Sequence, residues 1–160
     1  MSYANTLYDD VTRSEVREHW KNIMNDSNLM FGGKDNVKVA LAYGSYYTEP
    51  SFDPFEFFES QYEKLQKVDK ADVMVTHYGP SIPEKLREDY KNMTTTFYYF
   101  DGSEDIARLN PKYWVYGHTH DKYSDMVGKT NVLSNPLGYP GENTKTIMKT
   151  LEIKDVKWIY

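Results

Sequence analysis

Asp72-Val73-Met74-Val75-Thr76-His77-Tyr78-Gly79 is a short apolar run that stops at a histidine and a turn-forming glycine. Three consecutive apolar residues rich in valine read as a strand buried on both faces of a parallel sheet. Further along, Lys112-Tyr113-Trp114-Val115-Tyr116 repeats the pattern and stops at Gly117, followed by His118-Thr119-His120. Between the two runs the spacing predicts helix from Pro83 to about Lys91, and again from Ser103, a candidate cap, to Leu109. Strand, helix and strand make a β-α-β crossover when the strands are parallel neighbours, and both strands then end at one edge of the sheet. Ligands of open α/β sheets bind at that carboxyl edge. His77 and the Gly117–His120 segment are therefore expected beside each other.

Outward from this core, Thr12 to about Asn25 is predicted helical. Thr12 can cap, Glu15 stands three residues on, and Val16, Trp20, Ile23 and Met24 share a face. The pair Gly32-Gly33 breaks the chain, Val37 to Tyr43 reads as a strand, and Pro54 to Val68 as an amphipathic helix with its stripe at Phe55, Phe58, Tyr62 and Leu65. Two more strands are expected, Thr130 to Leu133 and Thr146 to Ile153. They flank Asn135-Pro136-Leu137-Gly138-Tyr139-Pro140-Gly141, which is rich in turn formers. With no internal repeat or long linker, residues 1–160 are expected to form a single α/β domain.

Composition narrows the chemistry. Of the 160 residues 39% are hydrophobic and 27% charged, as in ordinary globular proteins. No apolar run reaches the roughly 18 residues of a membrane helix, and no leader pattern is present, so a cytoplasmic protein with no membrane partner is expected. The absence of cysteine excludes a thiolate metal site and a cysteine nucleophile. A net charge of -5 argues against nucleic acid as a stable partner. Lys34, Lys38, Lys64, Lys67 and Lys70 read as a solvated surface. Ser81 has no evident base partner, which removes a serine nucleophile. Aromatic residues make up 16% of the chain, fifteen of them tyrosine. Tyr98-Tyr99-Phe100 reads either as packing or as a platform on which a flat group stacks.

Three of the four histidines follow predicted strands. Neutral imidazole is a common ligand for divalent metals, and His-x-His sets two rings at one turn. Gly117, without a Cβ, can let the backbone bend sharply towards an ion. His19 lies inside the first predicted helix and reads as a partly exposed helix residue.

At these residues the sequence resembles the calcineurin-like metallophosphoesterases. The matching segments are Val73-Met74-Val75-Thr76-His77-Tyr78-Gly79-Pro80-Ser81 and Tyr116-Gly117-His118-Thr119-His120, followed by Ser134-Asn135-Pro136-Leu137-Gly138-Tyr139. The resemblance covers about the last two-thirds of the chain. It implies a partial metallophosphoesterase-type β-sandwich flanked by helices. It also implies hydrolysis of a phosphomonoester or phosphodiester, with a phosphorylated substrate and divalent ions (Mn, Fe, Zn or Ni) as cofactors. By the same resemblance His77 and His118 bind one metal of a two-metal centre and His120 the other. Asn135 and Tyr139 are candidate substrate-binding residues, although turn chemistry alone also explains both.

The family's earlier motifs, Asp-x-His, Gly-Asp and Gly-Asn-His, occur nowhere in the chain. The resemblance is thus to the C-terminal half of such a domain. Two divalent ions place four positive charges within roughly 4 Å, which carboxylates normally offset and three neutral imidazoles do not. Asp121, Asp101, Asp125 and the pair Asp9-Asp10 are candidate carboxylates, each more readily read as a solvated surface or turn residue. A second chain or copy completing the sheet and the metal site is the expected partner. The alternative is a non-catalytic protein-binding module on a degenerate phosphoesterase scaffold.

Overall fold

The computed structural model describes residues 11–23, 38–40, 46–48, 53–83, 92–142, 145 and 147–151. The chain forms two compact units, Met1–Lys67 with Leu86–Thr96, and Val68–Lys85 with Phe97–Tyr160.

The first unit contains α1 (Arg13–Ile23), the antiparallel pair β1 (Lys38–Ala40) and β2 (Tyr46–Thr48), and α2 (Pro54–Gln66). Helix α1 starts in a capping box. The Thr12 N–H donates to Glu15 Oε2 at 2.8 Å, and the Glu15 N–H donates to Thr12 Oγ1 at 3.3 Å. Val16 and Trp20, one turn apart, form its buried stripe, while Ile23 is exposed and Met24 lies outside the described residues. Asp53 caps α2, accepting from the N–H groups of Phe55 (2.8 Å) and Glu56 (3.3 Å). Arg17 donates to the same carboxylate at 2.6 Å, and Arg13 pairs with Glu59. Both guanidinium groups lie over the Phe55 ring, which is buried. Of the predicted stripe on α2 only Phe55 is fully buried; Phe58, Tyr62 and Leu65 are half-buried. His19 is half-buried against the Thr94 hydroxyl at 2.7 Å.

The second unit is α/β. Its mixed four-stranded sheet has the order β3-β4-β6-β5, with β3 (Val73–Thr76), β4 (Tyr113–Tyr116), β5 (Tyr123–Val127) and β6 (Thr130–Ser134). Strands β3 and β4 run parallel with Val75 opposite Val115 and Thr76 opposite Tyr116, so the expected crossover is present. The chain between them includes a 3₁₀ helix (Met93–Phe97), all but its last residue in the first unit, and α3 (Ser103–Leu109) in the second. Asp101 fixes the start of α3 by accepting from the N–H (3.1 Å) and hydroxyl (2.6 Å) of Ser103. Asn110 ends it in the left-handed conformation at φ 44°. One sheet face carries Trp114, Tyr116, Thr130, Val132 and Ser134, all buried. Phe100 lies by Trp114 and Tyr99 by Tyr116, at ring separations of 6.3 and 6.1 Å.

Several expectations need correction. Strand β3 is not buried on both faces: among the described strands it lies at the edge of the sheet, and Val75 is 74% exposed. Apolar content alone does not distinguish a central strand from an edge strand of the same composition. Strand β5 was not expected, since Tyr-Ser-Asp-Met-Val lacks clean alternation. The two-residue Gly128-Lys129 loop closes its hairpin with β6, with Gly128 at φ 60°. The strand predicted over residues 146–153 is not seen in 147–151, which have no regular structure. The rest of that stretch lies outside the described residues, as do most of the helix predicted from Pro83 to Lys91 and the end of the strand predicted over 37–43. No helix among the described residues is long and apolar enough to cross a membrane.

Candidate functional site

His77 and the loop after β4 meet at the carboxyl edge of the parallel pair. The Gly117 N–H donates to the His77 carbonyl at 3.4 Å, continuing the ladder one step beyond the strands. The His77 and His118 rings stand 4.4 Å apart. His118 is half-buried among aromatic rings, stacked on Tyr98 at 4.6 Å and 5.4 Å from Tyr78. His77 is exposed.

The bend that aims these rings does not fall on the glycine. His118 (φ 64°) and His120 (φ 58°) both adopt the left-handed conformation, and between them the Thr119 N–H donates to the Gly117 carbonyl at 2.7 Å. A Cβ at Gly117 would meet nothing within 4 Å. Left-handed backbone costs a residue with a Cβ about 1–2 kcal/mol. The loop therefore places two strained histidines where the sequence suggested a relaxed glycine.

Glycine is required one strand earlier. A Cβ on Gly79 would lie 2.5 Å from the Tyr99 ring and 3.0 Å from that of Tyr116. Gly79 pairs with the Tyr98–Phe100 segment: its N–H donates to the Tyr98 carbonyl, and its carbonyl accepts from Phe100, both at 2.9 Å. This close approach delivers Tyr98 to His118. Beneath the loop, burial pushes the Tyr99 and Tyr116 phenols above their ordinary values, so both stay neutral through the physiological range.

His120 belongs to a second cluster. Its Nδ1 lies 2.9 Å from Glu142 Oε2, and the Tyr139 ring meets it edge-on at 4.6 Å. Glu142 had not been singled out in the sequence, yet the turn that delivers it was visible in Tyr139-Pro140-Gly141-Glu142. The candidate carboxylates take other roles. Asp101 accepts from the N–H and hydroxyl of Ser103 just before α3, whose N-cap is Gly102, and Asp125 accepts from the N–H of Met126 at 2.8 Å. Asp121 is exposed in the loop, and Asp9-Asp10 lie outside the described residues. Asn135 donates from Nδ2 to the Ile147 carbonyl at 3.1 Å, and Tyr139 is 63% exposed.

The separation of the His77 and His118 ring centres is compatible with two imidazoles sharing one ion. Two imidazoles held at ~2.1 Å and a right angle around a metal have ring centres roughly 4.5 Å apart, close to the His77–His118 separation. They do not by themselves make a two-ion centre. Among the described residues no three histidine, aspartate or glutamate side chains converge as a metal-holding group. Comparison with family models, with curated proteins and with solved structures gives no match. The resemblance rests on the motifs quoted above.

Proposed function

We propose that the chain is the histidine-bearing part of a metal-dependent phosphoester hydrolase of the calcineurin-like type, acting on a phosphomonoester or phosphodiester. The observation that carries this reading is the His77–His118 pair at the carboxyl edge of a parallel β-α-β unit. The four-stranded sheet then belongs to a partial β-sandwich, which a second chain or copy completes along with the acidic ligands.

In this reading His77 and His118 bind an ion as neutral imidazoles, and Tyr98 holds the His118 ring plane by stacking. His120 faces a second ion. The chemistry that bound ions supply is Lewis-acid polarisation of a phosphoryl oxygen and activation of an attacking water. Tyr139, whose ring meets His120, and Asn135 are the residues that a phosphorylated substrate would contact in this reading.

The test is metal content per chain by elemental analysis after desalting from manganese, together with manganese-dependent hydrolysis of bis(p-nitrophenyl) phosphate by the completed assembly. About one ion per isolated chain is expected, lost in His118→Ala along with the hydrolysis. Equal metal content and rate in that variant would overturn the assignment.

The alternative, a non-catalytic protein-binding module, draws support from the apolar side chains of the 137–148 segment. Leu137, Ile147 and Met148 are 71%, 80% and 90% exposed. It predicts a stable complex with a partner protein and no hydrolysis with any divalent metal.

A further inference from the structure

We infer that the Tyr116 and Ser134 hydroxyls, side by side at the carboxyl edge of the sheet, are bridged by an internal water that seats the His118–His120 loop. The inference involves no metal and stands apart from the hydrolase reading.

Its basis is one row of the sheet. Tyr116 ends β4 and Ser134 ends β6, opposite each other in register, with Tyr123 of β5 opposite Ser134 on the other side. Partners in register share a face. Tyr116 and Ser134 are 4% and 1% exposed, on the face that carries the core. Other hydroxyls on this face are satisfied. Thr76, in the same row, donates to the Tyr78 carbonyl at 2.7 Å and accepts from Trp114 Nε1 at 2.9 Å. Thr130 donates to the Pro111 carbonyl at 2.7 Å. The Tyr116 hydroxyl and Ser134 Oγ, both shut off from solvent, have no hydrogen-bond partner among the described residues. The Tyr99 phenol approaches that of Tyr116 and perturbs its ionisation, without the geometry of a hydrogen bond.

Two dry, unpaired hydroxyls on neighbouring strands are costly. A serine hydroxyl stays near its strand, whereas a phenol hydroxyl stands a ring's length out from it, so the two do not pair directly. What joins them has to be small and uncharged, and has to both donate and accept. Burial raises the Tyr99 and Tyr116 phenols above their ordinary values, so neither supplies an anion to hold a cation. Water meets these conditions, and buried waters typically make about three hydrogen bonds to such groups.

The row lies beneath the histidine loop. Tyr99 interacts with the Thr119 side chain, and the Asp121 carboxylate raises both phenols. Between the left-handed His118 and His120, the Thr119 N–H is bonded to the Gly117 carbonyl at 2.7 Å. Strained backbone persists where its surroundings fix it. A water that fixes the Tyr116 ring to Ser134 fixes the floor against which Tyr99 and the loop rest.

The experiment is ¹⁷O relaxation dispersion of water with the full chain, which detects long-lived internal waters without interference from exchanging hydroxyl protons. Hydrogen exchange of the Thr119 amide reads the loop. Ser134→Ala and Tyr116→Phe are each expected to lose one long-lived water relative to the wild type. In both, the Thr119 N–H should exchange roughly 2–10-fold faster, as for the loss of about one net hydrogen bond. Ile106→Val, a mild truncation in the core of α3, is the control and should leave Thr119 unchanged.

Equal dispersion in the wild type and both variants overturns the water site. So does a wild type with no long-lived water, a result that needs no variant to fold. If the water is lost as stated but Thr119 exchange does not change, or changes as much in Ile106→Val, the seating role is overturned.

Discussion

In the unit built on α1 and α2, Asp53 is met by three donors, the N–H groups of Phe55 and Glu56 and the guanidinium of Arg17. In the unit built on the four-stranded sheet, His118 and His120 sit on left-handed backbone, one against tyrosine rings and the other against a carboxylate. The first arrangement satisfies every local rule: a capping residue where a helix starts, opposite charges side by side, arginines over an aromatic face. The second breaks a local rule twice within three residues. Strain of that kind persists only where the surroundings over-determine it, and such places concentrate at functional sites. The comparison therefore favours the sheet unit as the place of the proposed site on backbone evidence, separately from the identity of the side chains.

The largest effect expected on this contrast comes from Gly79→Ala. The new methyl would press on the rings of Tyr99 and Tyr116, both buried and unable to swing aside. Overpacking of this sort costs about 1–3 kcal/mol. Urea denaturation should show that loss, with Gly117→Ala as a control that changes stability by less than about 0.5 kcal/mol, because nothing stands near its Cβ. Equal behaviour of the two glycines would remove the case that Gly79, rather than Gly117, is the conformational keystone of the edge.

A smaller effect probes the strain directly. Asparagine tolerates left-handed backbone and β-branched residues do not. His120→Asn and His120→Val both remove the ring and its hydrogen bond to Glu142. Any difference between them therefore reports the backbone. The valine variant should be about 1–2 kcal/mol less stable by thermal or urea unfolding. Identical stabilities would mean that the loop relaxes to an ordinary conformation once the ring is gone, and the contrast between the units would lose its backbone argument.

The meeting of His77 with His118 was legible in the sequence because it follows from topology. Two strands joined through helical material end at one edge, and each was followed at once by histidine. The helices were legible for a similar reason: Thr12 with Glu15, and Pro54 at a helix start, are local signals. What escaped was whatever depends on a distant partner. The edge position of β3 depends on its neighbours, and Val73-Met74-Val75 reads alike at a centre or an edge. Strand β5 depends on pairing with β6, which overrides its weak alternation. The three residues of Tyr98-Tyr99-Phe100 do different work, one stacking on His118 and two packing inside, which their spacing does not reveal. Glu142 reached His120 only through a turn, and a turn states where the chain reverses without stating what it then meets.

The last and smallest effect separates the units by pH. The Asp53 carboxyl lies below its ordinary value of 3.8 although partial burial pushes it upward. The Arg17 hydrogen bond and the N–H groups of Phe55 and Glu56 outweigh that burial. A depressed carboxyl stabilises the fold above its unfolded value, and the contribution is lost as pH falls through the folded one. Asp53→Ala should therefore cost about 1 kcal/mol near neutrality, as removal of a helix cap does. Its difference from the wild type should shrink as the pH is lowered below about 4, where the wild-type carboxylate takes up a proton. Gly79→Ala involves no titrating group, and its penalty should be nearly the same across that range. Urea midpoints of both variants at pH 7 and pH 3 make the comparison. A constant Asp53→Ala penalty at both values would mean that Asp53 contributes through packing rather than charge, and each unit would then owe its stability to the same kind of force.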